Sequence, residues 1–134
     1  MTDPITKVSL GSVSIILPST GKIIILSVYP PYGSNGWYTL KDKDVDYIVP
    51  SGKQFWICVV RSKNNNEFPV NIEYNTSSTG GSGTLINAIY TYTNDTFVDI
   101  PLFTSVPAGN YINVENSGQY GLGNLLIYGI ELNA

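Results

Sequence analysis

Apolar and polar residues alternate along this chain in short runs broken by glycine, proline and asparagine, the period-2 signature of half-buried β-strands. Val8, Leu10, Ser12, Ser14 and Ile16 alternate against Ser9, Gly11, Val13, Ile15 and Leu17, which predicts one strand with a partly apolar second face. Lys22 to Tyr29 is almost continuously apolar, as strands buried on both sides are. Further strands are expected at Trp37 to Leu40, at Val45 to Val49, at 53–60 through FWICVV, and at Pro69 to Tyr74. Leu85 to Tyr92, Thr96 to Phe103, Asn110 to Asn116 and Asn124 to Leu132 complete the series. No stretch sustains apolar residues at helical spacing with caps, so nothing longer than a single helical turn is expected. Eight to ten short strands separated by turn signals predict an all-β chain, a single antiparallel β-sandwich over residues 1–134 with the jelly roll as the best-fitting arrangement. Residues 1–17 are a candidate arm or strand contacting a neighbouring subunit.

One turn device recurs. LPSTGKIIILSV at 17–28, VPSGKQFWICV at 49–59 and VPAGNYINV at 106–114 each place a proline after an apolar residue, a glycine shortly after, and then a strand. Proline presets φ at a turn's second position and glycine supplies the positive φ that a type II turn needs next or nearby, so the unit reverses the chain and launches a strand. LPSTG also spells a bacterial cell-wall sorting signal, but such a signal stands ahead of a membrane-length apolar tail and basic residues, which do not follow Pro18. The turn reading therefore prevails. Between Asn75 and Thr84 the run NTSSTGGSGT has too few apolar groups to order itself by burial and reads as a mobile loop.

Within the FWICVV run, strict alternation puts Phe55, Ile57 and Val59 on one face and Trp56, Cys58 and Val60 on the other. A two-layer sandwich buries only one of them. The second face therefore needs a cover, from a flanking segment or a neighbouring subunit, and Trp56, Cys58 and Val60 are the candidate subunit interface.

Composition narrows the function. Only 13% of the 134 residues are charged, against about 25% in ordinary soluble domains, so Ser, Thr, Asn and Gly must supply a neutral, hydrogen-bonding surface. The net charge is −3 with the basic residues scattered, which leaves no electrostatic footprint for nucleic acid. There is no histidine and a single cysteine, so the commonest general base and metal ligand is missing and no internal disulfide can form. No signal peptide is visible and no run reaches the length of a membrane span. No nucleophile elbow, phosphate loop or metal cluster stands in the sequence, and catalysis, cofactor and metal are all expected to be absent.

Two smaller patterns stand beside these. Asp42, Asp44 and Asp46 share the D-x-D-x-D spacing of calcium loops, but the following glycine is missing and a strand begins at once, so a charged turn or edge guard explains them better. Asn75-Thr-Ser and Asn94-Asp-Thr match the N-glycosylation pattern. A third cluster bears more directly on function. YPPYGSNGWY gathers Tyr32, Trp37 and Tyr38 in or beside one loop, where aromatic faces suit stacking on a sugar ring; capping of the sandwich core is the competing reading.

VPSGKQFWICV, VPAGNYINV and the closing GNLLIYGIELNA resemble the strands of small jelly-roll structural proteins of prokaryotic and archaeal virus particles: capsid, turret, spike, decoration or tail components. The resemblance covers roughly residues 45–132 and rests on short motifs. It implies a non-enzymatic subunit of a virion or extracellular surface assembly that associates with copies of itself or with other structural subunits, without inserting into a membrane. The alternative is a carbohydrate-binding or adhesin module that meets a host-surface glycan through Tyr32, Trp37 and Tyr38.

Overall fold

The computed structural model describes residues 5–10, 13–18, 21–28, 36–64, 70–89, 97–116 and 122–134. They form β1 (Ile5–Leu10), β2 (Val13–Pro18), β3 (Lys22–Val28), β4 (Gly36–Thr39), β5 (Lys41–Asp42), β6 (Val45–Asp46), β7 (Lys53–Asn64), β8 (Val70–Asn75), β9 (Thr84–Ile89), β10 (Val98–Pro107), β11 (Tyr111–Asn116) and β12 (Leu122–Asn133). Among the described residues there is no helix.

The strands make a six-stranded sheet ordered β10-β7-β12-β3-β5-β6 and a four-stranded sheet ordered β4-β11-β8-β9, every pairing antiparallel. With the small β5–β6 hairpin set aside, β3 pairs with β12, β4 with β11, β7 with β10 and β8 with β9. The first of these strands meets the last and the innermost two meet each other, which is a long antiparallel ribbon rolled up on itself: the jelly roll. Phe55, Ile57 and Val60 of β7, Leu26 of β3 and Leu125 and Ile127 of β12 close against Ile72 of β8 and Ile112 and Val114 of β11 in one core between the sheets.

Two of the proline-glycine turns are built side by side. Lys53 N donates to Pro50 O at 3.1 Å across Gly52, whose φ is +77°. Gly109, at φ +81°, donates to Val49 O at 2.8 Å, and Val49 N donates to Asn110 O at 3.0 Å. The recurrence of V-P-x-G thus joins the ends of both sheets at one corner. Proline opens the first turn rather than taking its second position, and Ser51 holds that place. At Leu40 the chain passes from one sheet to the other: its N–H serves Ile112 O and its C=O accepts from Tyr47 N, and the side chain is fully buried.

The predicted single strand at Val8 to Leu17 is instead a hairpin. β1 and β2 pair only with each other, Leu10 opposite Val13 and Val8 opposite Ile15. Reversal of the chain changes the parity, so Val8, Leu10, Val13, Ile15 and Leu17 occupy register positions on one face of the ribbon. The apolar second face inferred from straight alternation is the same face, met again on the way back.

Candidate functional site

Two surfaces carry the candidate residues, one on the outside of each sheet. The register across the six-stranded sheet lays three rows over its outer face: Ile23, Ile130, Trp56 and Ser105; then Ile25, Tyr128, Val59 and Pro101; then Ser27, Leu126, Arg61 and Asp99. Two rows are almost wholly apolar. The third is closed by the Arg61–Asp99 pair at 3.6 Å, with Phe97 5.2 Å beneath the guanidinium.

β7 does not keep strict alternation. Tyr128 faces Val59 while Gly129 faces Ile57, which leaves Cys58 as an extra residue, a β-bulge; on the other side the pairing jumps from Pro101 to Thr104 across the same point. The bulge reverses the parity, so Val60 turns inward to the core and Val59 turns outward beside Cys58 and Ile130. Val60 therefore leaves the candidate interface, contrary to the sequence reading, whereas Trp56 and Cys58 stay on the outer face. Cys58, Val59 and Ile130 are sealed within the chain, and Ile25, Trp56 and Phe103 around them are 48%, 36% and 61% exposed. Burial pushes the Cys58 thiol up from its ordinary value and so keeps it protonated and unreactive at neutral pH.

The outer face of the four-stranded sheet has the opposite chemistry. Thr39, Asn113 and Glu73 lie in one row across β4, β11 and β8, and Trp37, Glu115 and Asn71 in the next. Glu73 is buried, and its two carboxylate oxygens accept from Gly81 N at 2.7 Å and Gly83 N at 2.6 Å. Asn113 Nδ2 donates to Glu73 Oε1 and to Ser77 O, each at 3.3 Å. Thr39 Oγ1 lies 2.9 Å from Ser78 O and 2.7 Å from Asn113 Oδ1. Asn75 Oδ1 accepts from Ser77 N at 3.0 Å, an Asx turn. The loop 76–83 is thus fastened over the sheet by hydrogen bonds, where the sequence suggested a mobile segment because burial alone has nothing to hold it. Asn75, the first residue of one glycosylation motif, is buried in this network. Asn94 lies outside the described residues.

Trp37 and Tyr38, neighbours on an edge strand, point to opposite sides: Trp37 takes its place in the outer row and Tyr38 packs against the core. They do not form one aromatic platform. Both nevertheless line a cleft of about 450 Å³ with Ser27, Thr39, Lys41 and Asp46. Tyr32, the third member of the predicted cluster, lies outside the described residues. The backbone at Gly80 and Gly81 lies against the indole so closely that a Cβ on Gly80 would stand 2.5 Å from Trp37 Cβ. Sequence reasoning found Trp37 but missed Glu73 and Asn113, which hold the loop that holds it.

At the far end, Tyr47 Oη donates to Glu131 Oε2 at 2.8 Å, and its ring meets Phe55 with centroids 5.2 Å apart. Burial, reinforced by the Glu131 carboxylate, raises the phenol far above its ordinary value. The Asp42–Asp46 stretch forms the β5–β6 hairpin with Lys43 at φ +58° and a Lys41–Asp46 ion pair at 2.8 Å. Among the described residues no three His, Cys, Asp or Glu side chains converge as metal ligands, and no helix is long and apolar enough to cross a membrane. No protein-family model, curated protein or solved structure matches this chain.

Proposed function

We propose that the protein is a non-enzymatic structural subunit of a virus particle or surface assembly, in which a second copy covers the outer face of the six-stranded sheet. The supporting observation is the apolar patch on that face, where exposed Ile25, Trp56 and Phe103 border the sealed Cys58, Val59 and Ile130. Clustered exposed apolar side chains on a sheet face support an association surface. The occupant is a second copy because the patch is neutral apart from the Arg61–Asp99 pair at its border and the chain carries a net charge of only −3, so two such faces meet without like-charge repulsion. Edges serve less well. β10, one edge of this sheet, carries Pro101 and Pro107, which lack a donor for strand addition, and the other edge is the two-residue β6. The resemblance of the V-P-x-G strands to jelly-roll virion proteins points the same way.

Light scattering across a concentration series tests this reading. The expected result is a mass that rises with concentration to a closed oligomer or a polymer, and a return to the monomer in Trp56→Ser/Phe103→Ser. A wild-type protein that stays monomeric at millimolar concentration overturns it.

A further inference from the structure

The cleft beside β4 belongs to neither the core nor the apolar face. It opens where the chain leaves the four-stranded sheet at Thr39 and enters the six-stranded sheet at Lys41, and its volume of about 450 Å³ suits a small ligand. One wall carries Trp37 and Tyr38 from consecutive positions of the edge strand; the other carries Ser27 of β3 and the Lys41–Asp46 pair of the β5–β6 hairpin.

Three features define what fits. First, the indole of Trp37 is half-buried and is held in place by the loop backbone: a Cβ at Gly80 would lie 2.7 Å from Trp37 Cγ and one at Gly81 3.2 Å from Nε1. That loop is in turn fastened by Glu73 through Gly81 N and Gly83 N. An aromatic ring fixed in this way has little conformational entropy left to lose when a ligand packs on it. Second, the polar groups around it are hydroxyls and one ion pair. Ser27 and Ser78 supply donors and acceptors together, Thr39 Oγ1, whose proton serves Ser78 O or Asn113 Oδ1, adds an acceptor, and Lys41 and Asp46, 48% and 42% exposed, keep free valences beyond their mutual contact. Third, the charge cancels locally, so the cleft offers no field that favours an anion or a cation. A half-buried indole edged by mixed donors and acceptors without net charge matches a pyranose ring, whose C–H face is apolar and whose rim is hydroxylated.

We propose that this cleft is a binding site for a neutral oligosaccharide, with one sugar ring against Trp37 and the hydroxyls of that ring or its neighbour hydrogen-bonded by Thr39, Ser27, Lys41 and Asp46. The proposal stands apart from the assembly reading, since the cleft and the two apolar rows share no residue and meet only along β3, where Ser27 stands in the third row.

A printed array of neutral and sialylated glycans, followed by saturation-transfer NMR on the binders, tests it with the full chain. The expected result is binding to neutral glycans, with affinity lowered about tenfold in Trp37→Ala, the loss of one aromatic contact, and lowered also in Asp46→Ala, an exposed position that leaves the core untouched. In a Trp56→Phe background, where Trp37 is the single remaining tryptophan, the same glycans should shift its fluorescence with saturation. If Trp37→Ala fails to fold, Asp46→Ala and the fluorescence titration carry the test. Silence across the array, binding confined to sialylated glycans, or affinity unchanged in the folded variants overturns the proposal; none of these outcomes bears on whether Trp56→Ser/Phe103→Ser disperses an oligomer.

Discussion

Val59 and Asn113 occupy equivalent places on opposite sides of the molecule. Each sits on an inner strand of its sheet with its side chain directed away from the shared core, and each is wholly inaccessible to solvent. The surroundings differ completely. Val59 lies in an apolar cluster with Cys58 and Ile130, against which Ile23, Tyr128 and Leu132 pack. Asn113 is enclosed by Thr39, Glu73 and the carbonyl of Ser77, three partners that satisfy its amide. One outer face is closed by apolar contact, which is non-directional and can be shared with any apolar partner. The other is closed by directional hydrogen bonds to its own loop, which bind that loop in a single arrangement. The difference explains why the apolar face is suited to join copies whereas the polar face is finished within the chain and presents a shaped cleft.

The largest expected effect breaks the polar side. Glu73→Leu leaves the N–H groups of Gly81 and Gly83 and the Asn113 amide without their acceptor, and urea unfolding should show a loss of about 3 kcal/mol. A loss below about 1 kcal/mol would mean that the loop finds water in place of the carboxylate and that this face is not closed from within. Val59→Thr probes the other side with almost no change of shape. A hydroxyl placed among Cys58, Tyr128 and Ile130 should lower stability by about 1–2 kcal/mol, whereas an unchanged midpoint would show Val59 to be wet and the contrast with Asn113 to be empty.

The jelly roll was legible in the sequence because alternation and V-P-x-G turns are local signals. β3, β4, β8, β11 and β12 begin and end within one or two residues of the expected positions. What escaped reading depends on pairing rather than on pattern. The bulge at Cys58 exists only in the register against Tyr128 and Gly129, and no local feature of FWICVV announces that parity reverses there. The β1–β2 hairpin left a trace in the pattern, since the apolar set moves from Val8 and Leu10 to Val13, Ile15 and Leu17 across Gly11-Ser12, but only the pairing of Leu10 with Val13 shows that the chain reverses there. Glu73 stands at an outward position between Ile72 and Tyr74, where charge normally meets water; its burial depends on a loop of serines and glycines ten residues further on folding back over it. Trp37 was legible because aromatic clustering is a sequence property, and its separation from Tyr38 onto another face follows from the alternation of the strand expected at Trp37 to Leu40 and found as β4.

Cys58 reports whether the apolar face stays closed. With the thiol protonated by burial, alkylation by iodoacetamide at neutral pH should be slow in the folded protein and fast in urea, and its inflection with pH should lie above the ordinary thiol range. The sign for stability follows: the unfolded thiol ionises first, so the contribution of Cys58 is intact below its unfolded pKa and is lost as pH rises toward the folded one. Labelling at the rate of the unfolded chain would place Cys58 at an open surface and remove the seal from that face.

The smallest expected effect sharpens the contrast most. Ile25 stands in the row of Tyr128 and Val59 but is 48% exposed, so Ile25→Thr should change the stability of the isolated subunit by about 0.5 kcal/mol or less. Threonine keeps the β-branch that strands favour, so the backbone has no reason to shift. Under the proposed assembly the same substitution should raise the concentration at which the scattering mass begins to climb, because Ile25 borders the apolar patch. An unchanged stability with weakened association separates what this face does for the fold from what it does for assembly. Equal losses in both would assign Ile25 to the subunit's own packing and confine the shared surface to Trp56 and Phe103.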